Sequence, residues 1–152
     1  MTLNNRIPPP IVGLGTALLM WLVARQWPGE WFSQTPTRWL CGGLITLSLL
    51  LDGWAILAFR RTRTTVNPLA PEKASAIVQA GPYRVTRNPM YLGMAIILLA
   101  CVIGFGQPLN LVLLGLFIAY LTAFQIKPEE RALEARFGDE YRRYRARVRR
   151  WL

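Results

Sequence analysis

The sequence predicts an all-α integral membrane protein with about four transmembrane helices and a cytoplasmic lobe formed by a central loop and an amphipathic C-terminal helix. Three observations predict it. The 152-residue chain is 53% hydrophobic yet carries a formal net charge of +10, a combination that suits a small membrane protein and conflicts with a soluble globule. The charge is segregated: fifteen of the eighteen basic residues fall in the segments 60–88 and 127–152. The rest divides into apolar stretches close to the ~20 residues that cross a bilayer, where only a helix satisfies its own backbone.

The first stretch, residues 7–27, begins at Pro8-Pro9-Pro10 and is interrupted only by Arg25, which can snorkel to the interface. It lacks a strongly basic start and a small-residue cleavage site, so it does not read as a signal peptide. The second, 39–59, has Asp52 as its only charge. The third and fourth, 89–105 and 109–126, form a hairpin broken at Gly104-Phe105-Gly106-Gln107-Pro108. Arginine-rich flanks mark the cytoplasmic side, so the loop 60–88 and the tail 127–152 face the cytoplasm. Four crossings then place both termini there, in a single domain spanning 1–152.

The loop 60–88 is too long for a simple connection. Thr64-Thr65-Val66-Asn67-Pro68 and Ala70-Pro71 read as extended, and Ala76-Ile77-Val78 as a short strand-like run. In the tail, Leu133, Phe137, Tyr141, Tyr144, Val148 and Trp151 recur every third or fourth residue, which makes one helical face. The opposite face is rich in arginine. Such a helix is expected to lie on an anionic membrane surface. Gly138 followed by Asp139 reads as the end of one helix and the N-cap of the next.

Composition also excludes functions. Histidine is absent, which removes the commonest general base and the commonest metal ligand. Cys41 and Cys101 lie in apolar stretches without metal spacing, so no metal site and no disulfide framework is expected. A pI near 10.8 suits nucleic acid in principle, but the basic residues flank apolar spans and no nucleic-acid motif accompanies them. Gly13-x-Gly15 sits inside an apolar stretch without the third glycine of a phosphate-binding turn.

What remains is a polar layer at the cytoplasmic membrane face. Tyr83, Arg84, Arg87, Asn88 and Tyr91 precede or open the third stretch, and Glu129, Glu130 and Arg131 follow the fourth. A hairpin of two similar helices returns the chain to one face, which brings Tyr91 and Glu129 to one depth. Aromatic faces and carboxylates there suit a cationic ligand. Asp52 has two readings: a pairing with Arg60, Arg61 or a polar tail group, or a place on the substrate side of the site.

The segment Val78-Gln79-Ala80-Gly81-Pro82-Tyr83-Arg84-Val85-Thr86-Arg87-Asn88-Pro89-Met90-Tyr91-Leu92-Gly93 resembles the signature of the isoprenylcysteine carboxyl methyltransferase family. Glu129-Glu130-x-x-Leu133 with Phe137-Gly138-x-x-Tyr141-x-x-Tyr144 resembles that family's second block. The wider relatives include phospholipid N-methyltransferases. The resemblance spans roughly residues 64–151; the first two stretches match in hydropathy alone.

The resemblance implies a membrane-embedded methyltransferase that uses S-adenosyl-L-methionine, bound from the cytoplasm, and a lipid-like or amphipathic acceptor. By position it implies cofactor binding by Ser75, Ala76, Ile77, Val78, Tyr83, Asn88, Pro89, Met90, Tyr91, Glu129 and Glu130. Catalytic roles fall to Glu129, Arg87 and Asn88; Gln125 and Asp52 stand on the substrate side. Asn88 occupies a position where the family usually has histidine, and asparagine still offers a donor and an acceptor. Gln125 stands where the eukaryotic enzymes carry an arginine that meets the substrate carboxylate, so a prenylcysteine carboxylate is not the expected acceptor. The alternatives are a phospholipid amine N-methyltransferase and a non-catalytic membrane scaffold. The expected location is a bacterial inner membrane.

Overall fold

The computed structural model describes residues 7–29, 34–62 and 75–152. Among these the regular structure is helical: α1 (Pro9–Gln26), α2 (Gln34–Thr62), α3 (Pro89–Phe105), α4 (Asn110–Leu121), α5 (Lys127–Phe137) and α6 (Asp139–Arg147). The turns expected at 64–68 and 70–71 lie outside the described residues. Ala76-Ile77-Val78 is not a strand; the chain there is irregular and Val78 is buried beside Tyr83, Ala55 and Ala58.

Two of the helical stretches, Thr37–Thr62 and Asn110–Phe137, are long and apolar enough to cross a membrane. The apolar helix α3 is 17 residues long and α1 is 18. α2 extends past both ends of the apolar stretch 39–59, because nothing between Gln34 and Thr62 forbids helix except Pro36, which lies in its first turn.

α3 is the central helix. Its Tyr91, Ala95, Leu98 and Val102 pack with Met20 of α1 and Phe117 and Leu121 of α4 into one apolar cluster. α2 lies against another side of α3 through small residues. Cys41 donates to the Ala100 carbonyl at 3.4 Å, and one heptad on, Ser48 donates to the Gly93 carbonyl at 2.9 Å. Small side chains let two helices approach closely where no hydrophobic effect drives them together. Large apolar residues of α2, among them Trp39, Leu47, Leu50 and Trp54, stay exposed.

The α3–α4 hairpin closes at Gly106, whose φ of 64° ends α3 in the left-handed region. Gln107 donates to the Trp27 carbonyl, and Asn110 donates to the Met20 carbonyl at 3.2 Å, which ties this turn to the end of α1. α4 passes into α5 through one π-helical turn, Thr122–Ile126. A widened turn of this kind shifts the phase of a helix and recurs at functional sites; here it carries Gln125.

The tail departs from the surface helix expected of it. Gly138, with φ of 52°, both ends α5 and N-caps α6, so Asp139 is the first residue of α6 and not its cap. The sharp reversal folds the apolar face back onto the protein: Tyr141, Tyr144 and Val148 bury against Leu133, Phe137 and Ile77. Packing the α6 part of that face against α5 and Ile77 of the loop covers it within the chain, so a bilayer surface is not needed to cover it. Trp151 turns elsewhere, to the α1–α3–α4 cluster, and its indole N–H donates to Thr122 at 3.2 Å.

Candidate functional site

Residues 81–88 form a compact turn that the C-terminus holds in place. Pro82, with its fixed φ, opens the single 3-10 turn Gly81–Arg84. The Tyr144 hydroxyl donates to the Tyr83 carbonyl at 2.9 Å, linking α6 to this turn. Thr86 pairs with Arg149 in an isolated parallel bridge, and Arg87 N–H donates to the Arg149 carbonyl at 2.9 Å. The Asn88 side-chain amide donates to the Arg150 carbonyl at 2.9 Å. One side of Asn88 is therefore engaged in fixing the turn.

Glu130 is the hub of a buried ion network. Arg87 donates to its Oε1 at 2.6 Å, and Arg150 grips both oxygens, at 2.9 and 2.7 Å. The same Arg87 donates to the carbonyls of Val148 at 2.6 Å and Arg145 at 3.1 Å. The hydrogen bonds that Arg150 donates to Glu130 raise the affinity of Arg150 for its proton and lower that of Glu130, so the pair stays fully charged. Four segments meet here: the turn before α3, the start of α5, the end of α6 and the C-terminal residues.

Glu129 has a different environment. Its Oε1 accepts from the Tyr91 hydroxyl at 2.5 Å and from the Gln125 amide at 3.0 Å. Among the described residues no cation forms an ion pair with it. The π-turn and the start of α5 place Gln125 and Glu129 one turn apart on one face, so the amide steadies the carboxylate from its own helix.

A cavity of about 510 Å³ opens beside these groups. One wall is helical and, but for Arg60, largely apolar: Pro9 and Pro10 of α1, Ile56, Phe59 and Arg60 of α2, Met90, Tyr91 and Met94 of α3. The other comes from the folded-back lobe: Ala76, Ile77, Val78, Tyr83, Leu133, Tyr141 and Tyr144. Glu129, Glu130, Arg87 and Asn88 also reach it. Phe59 and Tyr83 meet edge to face with centroids 5.3 Å apart, joining the two walls. Burial pushes the Tyr83 and Tyr144 phenols above their usual range and Tyr141 to about 12, so all three are neutral hydrogen-bonding groups at physiological pH.

Of the residues predicted to bind or act, Ala76, Ile77, Val78, Tyr83, Arg87, Asn88, Met90, Tyr91, Glu129 and Glu130 lie on this cavity. Ser75 and Pro89 do not; Pro89 is buried as the first residue of α3. Gln125 reaches the site through Glu129. Asp52 lies off the cavity, packed on α3: a Cβ on Gly93 would sit 2.8 Å from its Cγ, and Oδ1 is buried with no hydrogen-bond partner. None of the cations expected to pair with Asp52 does so among the described residues.

Sequence reasoning assigned no site role to Tyr141, Tyr144, Leu133, Phe59, Met94, Arg60 or Arg150. The three tail residues carried a signal, the periodic apolar face. Arg150 carried none, since its role depends on where the C-terminus returns.

The phospholipid methyltransferase family profile matches residues 36–140. A protein of Haemophilus influenzae described as uncharacterized is 49% identical over 63 residues, the whole of that protein and 41% of this chain. No solved structure matches significantly. The family match runs from the start of α2 through the 3-10 turn, the α3–α4 hairpin and the Glu129–Glu130 segment into α6, and on it the chain belongs to the phospholipid methyltransferase family of membrane proteins.

Proposed function

We propose that this protein is an S-adenosyl-L-methionine-dependent methyltransferase, embedded by four membrane crossings (α1 to α4) with both termini cytoplasmic, that methylates a lipid-like or amphipathic acceptor in the bacterial inner membrane. The observation that carries the reading is the Glu129 carboxylate, hydrogen-bonded by Tyr91 and Gln125, unpaired by any described cation, on the wall of a cavity lined by tyrosines.

The cofactor fits this site by chemistry. A volume of about 510 Å³ falls in the range of small-molecule pockets. A carboxylate and aromatic faces suit a ligand that carries positive charge beside a flat ring. When bound, S-adenosylmethionine would supply a methyl group already activated on a sulfonium, whose sulfur would keep the C–S electron pair as the methyl passes to the acceptor. The residues of the chain hold and orient. Tyr91 and Gln125 fix Glu129; the Arg87–Glu130–Arg150 network fixes the turn that carries Asn88 and Tyr91. Placing the reacting groups in contact supplies a large part of such a rate, so the missing histidine is no obstacle.

Within this reading the acceptor is a phospholipid amine in preference to a prenylcysteine carboxylate. Two features favour it: the family match, and the environment of Gln125, which adds no positive charge beside Glu129. An ammonium must lose its proton before it can attack, and Glu129 is the carboxylate positioned to take it. Calorimetric titration of the detergent-purified protein with S-adenosylhomocysteine tests the cofactor. Saturable binding with one site is expected; its absence would leave a non-catalytic scaffold. Transfer of labelled methyl to phospholipid amines and not to a farnesylcysteine analogue is expected next.

A further inference from the structure

Two arginines line the cavity, and among the described residues only Arg87 of the two is held by an ion pair. Arg87 lines it but is held by Glu130 and two backbone carbonyls. Arg60 lines it from the last turn of α2, and no carboxylate pairs with it among the described residues. Arg61, its neighbour, has the same position relative to the helix end and does not line the cavity. A role in topology or in balancing the helix dipole would apply to both. Only the helical face that carries Ile56, Phe59 and Arg60 explains why one of the two faces the site.

We propose that Arg60 binds the phosphate of a phospholipid acceptor and so selects acceptors that carry phosphate and amine together; this rests on the functional reading above. Arg60 sits on the helical wall, one turn beyond Ile56 and beside Phe59, with Met94 on the same wall. That sequence of surfaces, apolar then cationic at the end of an apolar helix, follows a lipid from its chains to its phosphate at the bilayer boundary. Glu129, also on the cavity, then meets the amine that lies beyond the phosphate. The guanidinium is suited to phosphate by its fork of donors.

The test uses purified protein in detergent and three probes measured by calorimetry: a short-chain phosphatidylethanolamine, decylamine as an amine without phosphate, and S-adenosylhomocysteine. Arg60→Gln is expected to weaken phosphatidylethanolamine about tenfold, the low end for a charge-assisted contact at an exposed site. It should leave decylamine and S-adenosylhomocysteine within about twofold of wild type, less than the measurable worth of such a contact. Arg60→Lys should retain part of the phosphatidylethanolamine affinity, and Arg61→Gln all of it. An equal loss for decylamine, a loss confined to S-adenosylhomocysteine, or an equal effect of Arg61→Gln would each overturn the proposal. So would wild-type protein that does not prefer phosphatidylethanolamine to decylamine. Failure of the functional reading is separate: S-adenosylhomocysteine would not bind wild type, whatever the lipids do.

Discussion

The Tyr91 hydroxyl donates to Glu129 Oε1 at 2.5 Å across 38 residues of sequence. The bond ties the start of α3 to the start of α5, at the end of the hairpin away from Gly106, and holds a carboxylate on the cavity wall. It joins the turn motif to the Glu-Glu motif, the two segments in which the chemistry was expected.

Tyr91→Phe removes that donor and keeps the ring. The half-buried Glu129 oxygen then retains Gln125 alone from this pair, at a cost of about 1 kcal/mol for the lost hydrogen bond. A lower Tm is expected, together with weaker S-adenosylhomocysteine binding. Unchanged affinity by calorimetry would detach Tyr91 from the ligand.

Glu129→Gln and Glu134→Gln remove the same charge from one helix at different places. Glu134 sits at the surface, bridged to Arg142 at 3.1 Å and Arg145 at 2.7 Å. Glu129 lines the cavity. The first substitution should weaken binding of S-adenosylmethionine by roughly tenfold or more, as loss of a charge-assisted contact does. The second should leave it unaltered. Equal affinities of the two variants would place Glu129 outside the site.

Glu130→Ala leaves two arginines facing each other, with the Arg87 side chain only 8% exposed. Breaking a buried pair by removing one partner costs about 3–5 kcal/mol. Thermal unfolding should show a larger loss than for Glu134→Ala, whose partners Arg142 and Arg145 are 60% and 45% exposed. Comparable losses would mean that the network contributes no more than a surface bridge.

Gly93→Ala places a methyl against the Asp52 carboxyl carbon, 2.8 Å away before relaxation. Overpacking of this kind costs about 1–3 kcal/mol. Asp52→Ala removes the obstacle, so the double variant should be more stable than the sum of the single losses predicts. Strict additivity in detergent melts would show that Asp52 moves aside freely.

The sequence by itself determined the helical class, the hairpin and the two segments that meet at the cavity. Apolar length and the placement of arginine are properties of the one-dimensional chain, and helices of similar length return to the same face whatever their packing. The equivalence of Glu129 and Glu130 in sequence dissolved only in three dimensions. One faces a tyrosine and a glutamine and the other two arginines, because successive residues on a helix point about 100° apart. The fate of the tail was equally undecided: its apolar face suits a bilayer surface or a protein groove, since burial of apolar area is non-directional. Gly138 reversed the chain and delivered Tyr141 and Tyr144 to the cavity wall, and the C-terminal carbonyls then reached Arg87 and Asn88. Such long-range pairings have no local signature, because what selects them is which backbone groups are left unsatisfied once the helices have packed.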